Sequence, residues 1–224
     1  MTEPYVTLTD YGLSIECLTF LVFLARLPST RRLRIWFLVF FSSVAASSFI
    51  GGTVHGFFAQ PSSAGGRVLW PMTMIGIGVT ALAGIQIAKG LLWAERNSTI
   101  TDAIIYAAFC IYCGVVLFVN ASFLVAILGY LPAILLLAWA LMKEYLRSGH
   151  RRFLTGFLGL LVILFGSVIQ QIRILDSSHY VNRNVLYHIL QGIGLFMVFV
   201  SARSLEEREK GKELTNLCQQ DGNF

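Results

Sequence analysis

The sequence predicts an all-α polytopic membrane protein, a seven-transmembrane-helix bundle with its N-terminus outside and its C-terminus in the cytoplasm. The first observation is composition. Of the 224 residues, 56% are hydrophobic and only 13% are charged, whereas a soluble domain usually carries about 25% charge. The second is a series of apolar stretches that approach or exceed the 20 or so residues needed to cross a bilayer. The third is the uneven distribution of Lys and Arg between the connecting loops.

Seven apolar segments qualify as transmembrane helices. The start of the chain lacks the basic region and cleavage site of a signal peptide, so we expect the first segment to remain in the mature protein. The fourth and fifth meet at Asn120 and are predicted to form a tight hairpin. Residues 1–202 form the transmembrane domain, and residues 203–224 form a polar, charged cytoplasmic tail. The predicted spans are Leu8–Leu27, Arg34–Phe58, Val68–Trp93, Asp102–Val119, Ala121–Met142, Phe153–Ile174 and Asn184–Ala202.

The basic residues indicate the orientation. Fourteen of the seventeen Lys and Arg residues fall on one predicted side, and only Arg67, Arg173 and Arg183 fall on the other. Cytoplasmic loops are enriched in basic residues, so the richer side is predicted to be cytoplasmic. Topology thus explains the net charge of +5, and no nucleic-acid partner is expected. We expect a multi-pass integral membrane protein, of the plasma or inner membrane if bacterial. Its expected partners are membrane lipids, with a protein partner or a homo-oligomer left open.

Polar side chains inside the predicted spans gather toward the outer half of the bilayer. Such groups cost free energy in hydrocarbon unless they are paired, so each calls for a reason. Glu16 is the only carboxylate that the predicted spans place well inside the membrane. It is interpreted as a general acid or base, a metal ligand, a salt-bridge partner or a side chain that reaches the interface. The other candidates are His55, Gln170, Arg173, Asn184, His188 and Gln191.

Helix two carries small residues at an interval of four, which leads to His55. Small residues at this spacing let another helix approach closely. One interpretation is a crevice with His55 at its mouth, and the other is a plain helix-packing groove. The small residues favour the packing groove, and the role of His55 is left open. The two rows are Ser43, Ser47, Gly51 and His55, and Ser48, Gly52 and Gly56.

Helix seven places Asn184, His188 and Gln191 on one face by their spacing of four and three residues. Asn184 and His188 lie one turn apart and can reach the same atom. They could hold a metal ion, with His55 as a third ligand. The alternative is a hydrogen-bonded cluster between helices.

A family resemblance enters at these two helices. The runs Ser47–Gly56 and Asn184–Gly194 resemble the alkaline ceramidase branch of the CREST membrane hydrolases, which also includes adiponectin-receptor-like proteins. The resemblance implies a seven-helix core and a zinc ion, held by three histidines, that activates water to cleave a lipid amide. His55 and His188 match two of these histidines, and Asn184 stands in place of the third.

The chain departs from the family pattern at two further positions. Gly51 stands where the family has a serine, with Ser48 about one turn away. Leu69 and Trp70 precede Pro71 where the family has an aspartate. Asparagine is also a poor zinc ligand, because zinc prefers imidazole or thiolate. The resemblance is specific over about 20 residues, although the helix count extends it over the chain.

Two functional hypotheses follow. In the first, the chain is a hydrolase of a lipid amide or ester, with zinc on His55 and His188, Asn184 as ligand or orienter, and Ser48 steadying the oxyanion. In the second, it is a non-catalytic relative that binds a lipid, a small ligand or a partner in the same crevice. Transport ranks lower, because matched broken helices are not evident. Retinal is not expected, because helix seven contains no lysine for a Schiff base.

Overall fold

Seven long α-helices make up the computed structural model of the chain. It describes residues 1–27, 32–60, 62–93, 99–171 and 183–221, with side chains as far as Leu205 except that of Arg32. No strand occurs in these residues. The helices are α1 Pro4–Ala25, α2 Arg32–Phe57, α3 Ala64–Trp93, α4 Thr99–Phe118, α5 Phe123–Ser148, α6 Arg151–Gln171 and α7 Arg183–Asp221.

All seven helices are long and apolar enough to cross a membrane, α7 over Arg183–Leu205. The predicted all-α, seven-helix fold is therefore confirmed, and the chain is a multi-pass membrane protein. The predicted segments differ from the helices mainly at their ends. Helix α1 begins four residues earlier than predicted, and α7 continues to Asp221, well into the predicted tail. Helix ends are poorly encoded by hydropathy, because helices extend beyond the apolar layer.

Six helices form a closed ring in the order α1, α2, α3, α5, α6 and α7, with α7 returning to α1. Glycines permit the closest contacts in this ring. A Cβ atom on Gly159 of α6 would lie 2.6 Å from the carbonyl oxygen of Gly194 in α7. A Cβ on Gly52 of α2 would lie 2.9 Å from Cβ of Asp10 in α1. No larger residue fits either position unless the backbones separate, which confirms the packing interpretation of Gly52.

Helix α4 lies outside the ring, packed mainly against α3. Among its residues only Val116 is buried. Tyr112 fits between Gly78 of α3 and Gly129 of α5, and its hydroxyl donates to the carbonyl of Met74 at 2.8 Å. Asp102 in its first turn accepts a hydrogen bond from Nζ of Lys89 at 2.6 Å. Specific polar contacts therefore attach a helix that buries little apolar surface.

One end of the ring is filled by aromatic side chains. The rings of Phe20 and Phe199 stack with centroids 4.4 Å apart, and Phe41 contacts Phe20 edge-on at 5.4 Å. Phe20 is ten residues from Asp10 along α1, which is about 15 Å at the helical rise. The bundle is thus packed solid around Phe20 and opens toward the end of α1 that carries Asp10.

Candidate functional site: a polar-to-apolar cavity inside the ring

A cavity of about 470 Å³ lies within the six-helix ring. Small-molecule sites typically fall between 300 and 1,000 Å³. The lining changes from mainly polar to mainly apolar along the helix axes. His55 and Phe40 of α2 both line the cavity and are about 22 Å apart by helical rise. The polar end is lined by Asp10, Ser47, Ser48, His55, Gln170, Asn184, His188 and Gln191, and the apolar end by Phe40, Val44, Leu137, Leu160, Ile163 and Leu195.

His55 is held at the polar end by the N-terminal residues of the chain. Its Nδ1 atom lies 2.6 Å from Oε2 of Glu3, and the amide of Thr2 donates to the carbonyl of Gly56 at 3.1 Å. The hydrogen bond with His55 lowers the pKa of Glu3 below its ordinary value. Glu3 therefore favours its carboxylate form and ties the start of the chain to the end of α2.

His188 is buried between α7 and α1. Its Nδ1 atom lies 3.0 Å from the hydroxyl oxygen of Thr9, and its Nε2 atom lies 3.4 Å from Oδ1 of Asp10. Only 7% of the residue is exposed. Both ring nitrogens thus face side chains of α1, so α1 determines the orientation of the imidazole.

Asp10 is the functional candidate that sequence reasoning missed. It is 5% exposed and lines the cavity. A Cβ atom on Gly51 would lie 3.8 and 3.9 Å from its two carboxylate oxygens, so the glycine backbone of α2 forms one wall around the acid. The predicted helix began at Leu8 and placed Asp10 at the membrane entrance. Because α1 begins at Pro4, Asp10 also lies inside this membrane helix, and the prediction that Glu16 is the only carboxylate well inside a span is wrong.

The sequence of the chain matches one known protein family. The profile of a family of unknown function, DUF6962, matches residues 5–207. The chain belongs to DUF6962. No curated protein and no solved structure matches it. The DUF6962 match spans all seven membrane helices, so the ring, the cavity and the outer helix α4 lie within the family's extent.

The DUF6962 cavity brings together most of the residues singled out from the sequence. Ser48, His55, Asn184, His188, Gln170 and Gln191 all line it. Nε2 of Gln170 donates to Oδ1 of Asn184 at 3.3 Å, which joins α6 to α7. Glu16 does not line the cavity. Its carboxylate lies beside Gly192, where a Cβ atom would be 3.0 Å from Oε2. Arg173 lies outside the described residues.

The donors present do not fit a zinc ion as they are arranged. Nδ1 of His55 contacts Glu3, and both nitrogens of His188 contact α1 side chains. Oδ1 of Asn184 already accepts from Gln170. Across the described ranges, no group of three His, Cys, Asp or Glu side chains could hold a metal. A metal ligand must direct a free electron pair at the ion, so zinc on His55, His188 and Asn184 stays a prediction that this geometry does not support.

Proposed function

We propose that this DUF6962 protein binds a single-chain amphiphile of the membrane in the cavity of its six-helix ring. The observation that carries the proposal is the gradient along the cavity wall. Most hydrogen-bonding side chains of the lining lie toward the His55 end, and most aliphatic ones lie toward the Phe40 end. An amphiphile matches both ends at once, because its tail gains from apolar burial and its headgroup can satisfy polar groups that are costly to leave unpaired.

The size and shape of the cavity favour a ligand with a single alkyl chain. Its volume of about 470 Å³ lies in the lower half of the usual range for small-molecule sites, while its lining extends about 22 Å along α2. A narrow, elongated space suits an extended alkyl chain better than a compact metabolite. In the orientation predicted from the bias of basic residues, the polar end faces the outer side, so the headgroup would occupy the level of the outer leaflet.

Blocking the apolar end tests the proposal. Gly84 lines the cavity, and a Cβ atom there would meet nothing closer than 3.8 Å, so Gly84→Leu should fill the space without a backbone clash. Gly114→Leu is the matched control, because a Cβ on Gly114 of α4 has no neighbour within 4 Å and Gly114 does not line the cavity. Dodecanol bound per chain would be counted by native mass spectrometry after release from phosphatidylcholine nanodiscs.

We expect Gly84→Leu to abolish dodecanol binding and Gly114→Leu to retain it. Equal binding by both variants would show that dodecanol occupies the protein–lipid boundary, which would overturn the proposal.

A second candidate is a hydrolase resembling the CREST enzymes. The observation that favours it is that Ser48, His55 and His188 line one cavity. Zinc would supply a polarised carbonyl and a more acidic water molecule if it were bound. Measuring zinc in untagged protein and in His188→Ala, together with acid release from a lipid amide, tests it. Stoichiometric zinc and turnover, both lost in the variant, would support hydrolysis, while zinc-free, inactive wild-type protein would exclude it.

A further inference from the structure

The polar end of the cavity presents an unusual excess of hydrogen-bond acceptors. Asp10 contributes a carboxylate that is 5% exposed, and its contact with Nε2 of His188 is long at 3.4 Å. Charge-assisted hydrogen bonds between nitrogen and oxygen are usually 2.7–2.9 Å. Oε1 of Gln170, which also lines the cavity, is buried without a hydrogen-bond partner in the described part of the chain. Among the residues that the structure describes, no side chain supplies close donors to these groups.

The tautomer assigned to His188 adds one more hydrogen-bond acceptor, its Nε2 atom, to the polar end of the cavity. The single hydroxyl proton of Thr9 is directed at main-chain carbonyls, with Oγ1 2.9 Å from the oxygen of Val6 and 3.1 Å from that of Tyr5. We therefore assign the ring hydrogen of His188 to Nδ1, which donates to Oγ1 of Thr9, 3.0 Å away. In a neutral imidazole only one nitrogen carries hydrogen, so Nε2 directs an electron pair at the Asp10 carboxylate. In this tautomer two acceptors face each other across 3.4 Å.

From this arrangement we propose that the amphiphile carries a cationic amine headgroup, held by Asp10 and Nε2 of His188. The inference rests on the proposed amphiphile site. A primary ammonium offers three N–H donors, enough to serve both the carboxylate and the imidazole, which lie 3.4 Å apart. It also neutralises a carboxylate that is otherwise costly to bury.

Other features of the cavity fit a cation. Trp70 lines the same cavity, and its indole N–H is engaged by the carbonyl of Ala121 at 2.6 Å, so it does not compete for the acceptors. Aromatic rings attract cations through the negative potential of their faces. Arg183, a cation with interactions of its own, also lines the cavity, so the lining as a whole does not select for positive charge. Selection for positive charge therefore depends on Asp10, and Asp10 is the residue to change.

The test compares ligands that share one tail. Dodecylamine, dodecanol and dodecanoate would be titrated onto full-length protein in phosphatidylcholine nanodiscs and counted by native mass spectrometry. The variant is Asp10→Asn, which removes the charge with little change of shape. The matched control is Glu144→Gln, since Glu144 is a buried carboxylate of α5 that does not line the cavity. We expect dodecylamine to bind wild-type protein about tenfold more tightly than dodecanol, the ratio of one charge-assisted hydrogen bond.

Asp10→Asn should remove this tenfold preference by weakening dodecylamine binding more than dodecanol binding, and a cooperative unfolding transition in SDS would show that the variant is folded. Glu144→Gln should keep the preference. Equal binding of the amine and the alcohol to wild-type protein, or an equal loss of both in Asp10→Asn, would overturn the amine headgroup and leave the amphiphile site intact. If dodecanol and dodecylamine both fail to bind wild-type protein, the proposed function itself fails.

Discussion

Two aspartates of this bundle, Asp102 and Asp10, are both placed among helices and yet have opposite surroundings. Asp102 of α4 accepts hydrogen bonds from Nζ of Lys89 at 2.6 Å and from Nε2 of Gln86 at 3.2 Å. Asp10 of α1 has its Oδ1 atom 3.4 Å from Nε2 of His188, and both residues line the cavity. Asp102 is neutralised by donors within the protein and attaches α4 to α3. Among the described residues, Asp10 has no such close donor, and it borders the cavity of about 470 Å³.

This contrast is the basis for treating Asp102 as a structural acid and Asp10 as the proposed ligand-binding acid. A buried charge that is fully paired contributes to holding helices together, and breaking the pair leaves a charge that the interior solvates poorly. A buried charge that lacks its donors costs stability in the empty protein and recovers that cost when a ligand supplies them. Substitutions at the two sites should therefore change stability in opposite directions.

The largest effect on the free energy of unfolding is expected for the ion pair between Lys89 and Asp102. Lys89→Met removes the cation beside Asp102, whose side chain is 19% exposed, and should lower the free energy of unfolding by about 3 kcal/mol. The double variant Lys89→Met/Asp102→Leu should recover most of the loss, because no charge is left behind. Unfolding by SDS in mixed micelles measures both. A single variant as stable as the wild type would show that the pair is solvated rather than buried.

The next effect concerns the contact that positions Asp10. Gly52→Ala places a Cβ 2.9 Å from Cβ of Asp10 and 3.0 Å from the ring of Tyr11, so α1 and α2 must separate. We expect a loss of about 1.5 kcal/mol in the free energy of unfolding, typical of an overpacked contact, and weaker dodecylamine binding. Gly114→Ala, in open space on α4, is the control and should be neutral or slightly stabilising. Equal stability of the two variants would contradict the close approach.

A smaller effect of opposite sign is expected for Asp10→Asn in the ligand-free protein. The amide can donate to Nε2 of His188, replacing two opposed acceptors by a hydrogen bond. The free energy of unfolding should rise by about 1 kcal/mol, measured by the same SDS titration. Asp102→Asn serves as the comparison and should destabilise. If both asparagine variants lose stability, Asp10 is satisfied within the protein, and the contrast between the two sites disappears.

The smallest effect involves the ion contact at the chain start. The pKa of Glu3 is lowered from 4.5 by its hydrogen bond with His55, so the contact adds stability above about pH 4.5. That contribution is lost as the pH falls through the lowered value, where the folded protein takes up the proton. Because Glu3 is 39% exposed, Glu3→Gln should cost less than 1 kcal/mol at pH 7.

The stability difference between wild-type protein and Glu3→Gln should shrink between pH 5 and pH 3. Unfolding curves recorded across this range measure the difference. A difference that stays constant with pH would argue against an ionised contact between Glu3 and His55.

The sequence anticipated much of the site but not its organisation. His55 and His188 were both assigned to it, and both line the cavity, because imidazoles are costly in an apolar span unless they serve a purpose. The sequence did not indicate which side chains contact these two histidines. Each is engaged by the first ten residues of the chain, through Glu3, Thr9 and Asp10. Hydropathy assigns these residues to the membrane entrance, and only the early start of α1 brings Asp10 inside the bundle. The adjacent glycines Gly51 and Gly52 were the sequence feature that could have indicated this contact, because small residues let another helix pack closely against that face.

By itself the amino-acid sequence determined the seven membrane helices and the polar residues that α2 and α7 contribute, because both follow from local composition and from the periodicity of a helix. Only the tertiary structure decided that six helices form a ring while α4 stays outside it. It also decided that Asp102 is neutralised while Asp10 faces a cavity. Those outcomes depend on which helix faces meet, and that is a property of packing between distant segments rather than of any one span.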